Sequence, residues 1–324
     1  MKEEKNLLVT LADKNYIDKA KALFSSVYFN ASWKGDYMLL SYDIPEKDLK
    51  WFRDKGILIC KRKPIKIRKG NWPMSGLNKF YLFTPDFKRW NHIIYLDSDT
   101  LVRASLNKLT KIRGFGVVED PLKLRDQLKT HINPRTLMKL NKTFNLRAGS
   151  FNSGVMAFST DIIKERTFIE LLKINKQYDS LRRFADQTIL NLYFYKRWKK
   201  LSKNYNLNPE NYIHKPNNKM EYFRNTVLHF YGSIKPWDKK SQYKDEWRGN
   251  LKKADSINLN NRPYKRMSIT NVKHHYYFIR MQGLIILNGI VKEINPFIGL
   301  IGIKIKKISP KAYLILKKLF PNKK

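Results

Sequence analysis

Short apolar runs alternate with amphipathic stretches along the first three quarters of the chain. Leu7 to Ala12 reads as a first strand, and Tyr16 to Phe29 as a helix with apolar residues at helical spacing. Tyr37 to Tyr42 and Ile57 to Cys60 read as strands, separated by a helix from Glu46 to Lys55 that Pro45 initiates. Asn78 to Phe83 begins a helix that leads into His92-Ile93-Ile94-Tyr95-Leu96, whose four consecutive apolar residues suit a strand covered on both faces. Phe115 to Val118 and Val155 to Phe158 add strands, and Arg166 to Gln177 and Asp186 to Tyr195 add helices. The stretch from Glu119 to Ala148 is polar, basic and irregular apart from a helix at Pro134 to Leu140, and suits a loop or lid. Alternating strands and helices predict an α/β chain built on a doubly wound, parallel sheet.

Candidate chemistry gathers where these runs end. The strand at His92 stops at Asp97-Ser98-Asp99, and in open parallel sheets ligands collect beyond the carboxyl ends of the strands. In an extended segment residues i and i+2 point the same way, so both carboxylates can face one hard cation, which in turn can carry a diphosphate. Downstream, Val227-Leu228 is a short apolar strand followed by His229, Gly232, Lys235 and a rigid Pro236-Trp237 stop. A neutral imidazole can complete a shell begun by two carboxylates, Gly232 allows close approach of backbone to a phosphate, and Lys235 offers a point charge. Each piece taken singly also fits a helix cap, a packed core histidine or a surface turn. Asn152-Ser153-Gly154 places a polar trio at the start of another strand, and Asp186-Gln187 opens a helix with an acid and an amide.

Taken in order, Leu8 to Tyr16, Asn78-Lys79, Tyr95 to Asp99, Asn152 to Gly154, Asp186-Gln187 and His229 to Trp237 resemble glycosyltransferase family 8, the glycogenin-like and lipooligosaccharide galactosyltransferase-like enzymes. The resemblance implies a GT-A type, Rossmann-like fold, with a mixed, mainly parallel sheet flanked by helices. It also implies retaining transfer of a hexose, galactose or glucose, from a UDP-sugar, with Mn2+ or else Mg2+. Carried over by position, Asp97, Asp99 and His229 would hold the metal, and Leu11, Asn15 and Tyr16 would line the uridine pocket. Gly232 and Lys235 would contact the diphosphate, and Lys79 the phosphates or donor hydroxyls. Asn152, Asp186 and Gln187 would face the donor sugar, with Asp186 and Gln187 as the catalytic pair. Retention would come from attack on the face the leaving group departs from, or from a covalent intermediate on Asp186 or Gln187. One departure is visible: where family members often carry an arginine shortly before the lysine, this chain reads Gly70 to Leu77, and Arg68 is the nearest candidate.

Charge adds a second theme. The 324 residues hold 65 Lys and Arg against 27 acids, a net charge of +38, which asks for an anionic partner. From Pro263 to the end there are 13 Lys and Arg against one acid, Glu293, interleaved with apolar and aromatic residues. The chain therefore divides into a catalytic domain at 1–262 and a basic amphipathic appendage at 263–324, whose apolar stretches are too interrupted to span a bilayer and suit an anionic membrane surface. A start without an apolar signal core points to the cytoplasm, with peripheral attachment to the inner face of the membrane. The acceptor expected there is a glycan or glycolipid such as a lipopolysaccharide core. The rival reading is a basic nucleic-acid-binding protein, but no zinc-finger, helix-turn-helix or RNP-like motif is present and no nucleic acid is expected. The single cysteine, Cys60, excludes an intrachain disulfide and reads as a buried strand residue.

Overall fold

The computed structural model describes residues 5–65, 76–212 and 225–260. Arg68, the segment Gly70 to Ser75 and the whole basic appendage at 263–324 lie outside the described residues. Strand β1 (Asn6–Ala12) leads through a 3-10 turn into helix α1 (Ile17–Asn30), followed by β2 (Asp36–Ser41), α2 (Glu46–Asp54) and β3 (Leu58–Lys61). These three strands and β4 (His92–Leu96) are parallel and lie in the order β3-β2-β1-β4. The sheet then changes sense. β7 (Gly149–Ser159) runs antiparallel to β4 and to its other neighbour β6 (Phe115–Lys123), and β8 (Trp198–Lys200) adds a parallel edge to β6. Among the described residues this makes a mixed, mainly parallel seven-stranded sheet, with a second ribbon formed by β5 (Thr100–Val102) and β9 (Val227–His229).

The apolar runs are continuous because each strand feeds two cores. Side chains alternate across a sheet, so Leu8 and Ala12 of β1, with Ile94 and Leu96 of β4, join one cluster, which also takes Leu23, Phe24 and Val27 of α1. Their neighbours Leu7, Val9, Leu11, Ile93 and Tyr95 join the other, which is rich in aromatics. In that second layer Phe115 stacks on Phe194 with ring centroids 3.9 Å apart and contacts Phe151 edge-on. Helices α4 (Thr167–Tyr178) and α5 (Ala185–Tyr193) cover this face, and α6 (Lys244–Lys253) precedes Ala254, Ile257 and Leu259, which close the first core. Among the described residues no helix is long and apolar enough to cross a membrane.

Several elements differ from the sequence expectation. Asn78–Phe83 is a 3-10 helix; the Asn78 side chain accepts from the Ile65 amide (3.1 Å), and Thr84, which precedes Pro85 and is extended, ends the helix. The stretch from Glu119 to Ala148 is not irregular: β6 continues to Lys123 and α3 spans Pro134–Thr143. Leu124, Leu128, Leu140, Phe144 and Leu146 pack there with Leu192 of α5 into a satellite core. Those apolar residues are spaced too widely to show either period. Cys60 is buried as expected, and its thiol is pushed up to about 12, chiefly by that burial. Because Phe115 sits at the centre of the aromatic layer, Phe115→Ala should cost about 3–5 kcal/mol, read as a lower midpoint in equilibrium urea unfolding.

Candidate active site

The chain leaves β4 at Leu96 and turns at once. The Asp97 amide donates to the Gly154 carbonyl (2.8 Å), and the Asp97 carbonyl accepts from the Thr100 amide (3.1 Å) and hydroxyl (2.8 Å). Asp97-Ser98-Asp99 is therefore a tight turn and not the extended segment that the motif suggested. The carboxylates converge for another reason: β5 begins at Thr100, which lies opposite His229 in the β5–β9 ribbon, and the Phe230 amide donates to the Asp99 carbonyl (3.0 Å). Asp97, Asp99 and His229 are all buried, with one donor atom of each within 4.8 Å of the others. His229 Nε2 lies 3.3 Å from Asp99 Oδ1 and 3.8 Å from Asp97 Oδ2.

Two ammonium groups balance these acids. Lys235 Nζ donates to Asp99 Oδ2 (2.5 Å) and to the Phe230 carbonyl (2.6 Å). Burial resists ionisation of Asp99, yet the Lys235 ammonium beside it holds its carboxyl well below the usual carboxylate range. Lys79 is buried between Asp97 Oδ2 (3.2 Å) and Asp186 Oδ2 (3.0 Å), donates to the Ser153 carbonyl (3.1 Å) and lies over the Tyr95 ring. Burial opposes its charge, but Asp186 and then Asp97 more than offset this and raise its pKa. Burial and the neighbouring Asp97 push the Tyr95 phenol well up, so it keeps its proton and donates to Asp97 Oδ1.

The polar trio lies inside β7, not at its start, where a register shift opposite Val117 and Val118 interrupts the ladder. Ser153 Oγ donates to Asp186 Oδ2 (2.7 Å) and the Ser153 amide to Gln187 Oε1 (3.0 Å). Gln187 Nε2 donates to Gln127 Oε1 (3.1 Å) and Asp120 Oδ2 (3.4 Å), so its amide is committed to the scaffold at both ends. At Gly154 a side chain would fall on the His229 imidazole, so only glycine lets that ring reach the carboxylates. Asn152 Oδ1 accepts from the Gly154 amide and from Asn206 Nδ2, both at 2.9 Å.

The remaining expected residues sit at the end of β1, in the turn that follows it, and in the loop after His229. Leu11 is buried near the end of β1, Asn15 is exposed in the following turn, and Tyr16 meets Trp237 edge-on at 6.1 Å, joining the first strand's edge to the His229 segment. Gly232 lies against the Glu210 carboxylate. Asn206, Asp120 and Glu210 carry no signal in the sequence, since each sits in a stretch that reads as loop. A cleft of about 310 Å³ opens beside Asp120 and Asn206, lined also by Lys123, Lys203, Asn208 and Tyr231 among others.

The donor set fits a divalent cation. Asp99 Oδ1 is buried without a hydrogen-bond partner although it faces an imidazole nitrogen and a second carboxylate, and oxygen-rich sites of this kind suit hard or borderline ions.

Known proteins resemble the chain along most of this framework. Glycosyltransferase GlyB of Streptococcus pneumoniae serotype 4 is 26% identical over 267 residues, 74% of this chain and 60% of GlyB. The lipopolysaccharide 1,2-glucosyltransferase of Escherichia coli is 28% identical over 185 residues, 53% of this chain and 52% of that protein. The chain thus spans little more than half the length of these curated relatives. The structure of the galactosyltransferase LgtC, bound to donor and acceptor sugar analogs, superposes with a TM-score of 0.56 at 19% identity, covering 76% of this chain and 95% of LgtC, and shares the GT-A type fold. The profile of Glycosyl transferase family 8 matches residues 7–241, which takes in β1, the Asp97 turn, the polar trio and the His229 segment, and the chain belongs to that family.

Proposed function

We propose that the chain is a metal-dependent, retaining glycosyltransferase that moves a hexose, galactose or glucose, from a UDP-sugar to a membrane-associated glycan or glycolipid such as a lipopolysaccharide core. The observation that carries this reading is the convergence of Asp97, Asp99 and His229 in one buried group that Lys79 and Ser153 join to Asp186. The relatives favour it independently, one being a lipopolysaccharide glucosyltransferase and another a galactosyltransferase seen with donor and acceptor sugar analogs.

Asp97, Asp99 and His229 would hold the metal, and an imidazole among the oxygens favours Mn2+, with Mg2+ as the alternative. When bound, the ion supplies Lewis-acid neutralisation of the leaving diphosphate. Leu11, Asn15 and Tyr16 would line the uridine pocket, with Trp237 against Tyr16. Gly232 and Lys235 would serve the diphosphate, Lys235 exchanging Asp99 for a phosphate oxygen and so adding to the stabilisation of the leaving group. Asn152, Asp186 and Gln187 would face the donor sugar, and Lys79, paired with Asp186, would approach the phosphates or donor hydroxyls. Gln187 has its amide spent on Ser153, Gln127 and Asp120 and is a poor nucleophile. That favours same-face attack: the acceptor oxygen bonds to the anomeric carbon as the diphosphate oxygen leaves, and the hydroxyl proton passes to the departing diphosphate.

The cleft beside Asp120 and Tyr231 suits the acceptor, since carboxylate, amide and ammonium groups beside one ring match the hydroxyls and apolar face of a sugar. Attachment to an anionic membrane surface follows from the composition of 263–324, where 13 Lys and Arg stand against one acid.

The test is UDP release by the purified protein from a panel of UDP-sugars, with Mn2+ and then with excess chelator. Release from one hexose donor, lost on chelation and lowered at least about 100-fold in Asp97→Asn or Asp99→Asn without loss of folding, is the expected outcome. Release indifferent to chelator, or normal turnover in either variant, removes the metal assignment. Absence of both release and UDP binding overturns the donor reading.

A further inference from the structure

We propose that Asn206 is a positioning residue that holds His229 as its Nδ1–H tautomer and so turns a lone pair of Nε2 toward Asp97 and Asp99. The proton bookkeeping starts from a group whose hydrogen is not in question. The Gly154 backbone N–H points at the side chain of Asn152 from 2.9 Å, so the Asn152 atom there is the acceptor Oδ1. Asn206 approaches the same oxygen at 2.9 Å and must present its NH2 to it. Its carbonyl oxygen is then the atom 2.7 Å from His229 Nδ1, and a carbonyl can only accept, so Nδ1 carries the proton. The neutral ring's other nitrogen is left as a donor of electrons, 3.3 Å from Asp99 Oδ1 and 3.8 Å from Asp97 Oδ2.

The backbone leaves this chain of bonds little freedom. Leu207 brackets β9, its amide donating to Val227 (3.0 Å) and its carbonyl accepting from His229 (2.9 Å), which carries Asn206 alongside the imidazole. Asn206, Asn152 and His229 are all buried, which limits competition from water for these bonds. Neutral imidazole in water favours the opposite tautomer, so the local network is what selects the one a metal needs.

The inference concerns the metal group of the reading above, and its first readout needs neither metal nor substrate. Long-range 15N–1H correlation spectra of the metal-free protein, at alkaline pH where imidazole is neutral, should show His229 protonated at Nδ1. Asn206→Leu should move the proton to Nε2 and weaken Mn2+ binding by about 10- to 100-fold. Asn206→Asp, which keeps an acceptor for Nδ1–H, should retain the wild-type tautomer. A wild-type ring protonated at Nε2 overturns the proposal whether or not the variants fold, as does an Asn206→Leu protein with tautomer and Mn2+ affinity unchanged.

Separately, we infer that Glu210 is an internal rival of the donor's diphosphate. Its carboxylate accepts from the Ser233 amide at 3.0 Å and from the Ile234 amide, and it fills the space that a side chain at Gly232 would need. Successive backbone amides of this kind form an anion cradle. They belong to the same short loop as Gly232 and Lys235, which the proposed reading gives to the diphosphate. In this structure both halves of the loop are satisfied from within: Glu210 takes its amides and Asp99 takes the Lys235 ammonium. A diphosphate can use the cradle only as Glu210 leaves it, so the apparent affinity for UDP is lowered by the fraction of time the cradle is filled.

This second inference rests on the proposed donor reading, and calorimetric titration with UDP and with uridine in the presence of Mn2+ separates the two. Glu210→Gln and Glu210→Ala should each bind UDP about tenfold more tightly with uridine affinity unchanged, and binding of UDP by the variants alone would support the inference equally. UDP affinity that is unchanged or weaker in the variants overturns the rivalry and leaves the donor reading standing, as does an equal gain for uridine. Failure of wild type and variants alike to bind UDP overturns both.

Discussion

The site depends on keeping a cluster of buried charges close to neutral. Asp97, Asp99 and Asp186 lie almost out of contact with solvent, where an unpaired carboxylate is costly, and Lys79 and Lys235 are buried with them. Breaking such a pair from one side costs about 3–5 kcal/mol, because the other charge stays behind. The two lysines sit differently in that balance. Lys79 spans two acids from different elements and donates to Ser153, so it fastens the Asp97 turn to α5. Lys235 holds one acid from a loop, donating to Asp99 and to the Phe230 carbonyl.

The change of sense in the sheet is what brings this cluster together. Four parallel strands deliver only the Asp97 turn and the Tyr16 edge. β7, inserted antiparallel beside β4, brings Asn152, Ser153 and Gly154 in from the opposite direction, and Leu96 pairs with Val155 across the seam. The small residues of that trio are a packing requirement as well as a chemical one: Ser153 fits between Lys79, Asp186 and Gln187, and Gly154 leaves room for His229.

The sequence was legible where one physical requirement dominates. Strands buried on both faces give unbroken apolar runs, so β1, β2 and β4 stand close to where periodicity places them. Asp97, Asp99 and His229 were visible because a carboxylate or histidine at the end of an apolar run conflicts with burial unless something local compensates, and Asp186 because it opens a helix beside an amide. The convergence of Asp97 and Asp99 nevertheless follows from a turn and a cross-strand partner far away in sequence and not from strand alternation. Asn206 and Glu210 stayed invisible for a related reason. An asparagine before Leu-Asn-Pro and a glutamate after that proline look like ordinary loop residues, and their importance comes entirely from what Leu207 and Gly232 bring beside them.

The three-residue ribbon of β5 and β9 also bears on how the protein is made. It pairs Thr100 with His229 and Val102 with Val227 across more than a hundred intervening residues, which must close one long loop before the pairing can form. Contacts of such high sequence separation are made late, and a chain emerging from the ribosome carries both aspartates long before the histidine. During synthesis β1 to β4 can assemble as an α/β unit while the Asp97, Asp99 and His229 group still lacks its histidine. Completion of the site therefore marks a nearly finished domain, and an early-terminated product would expose its acids without gaining the third donor.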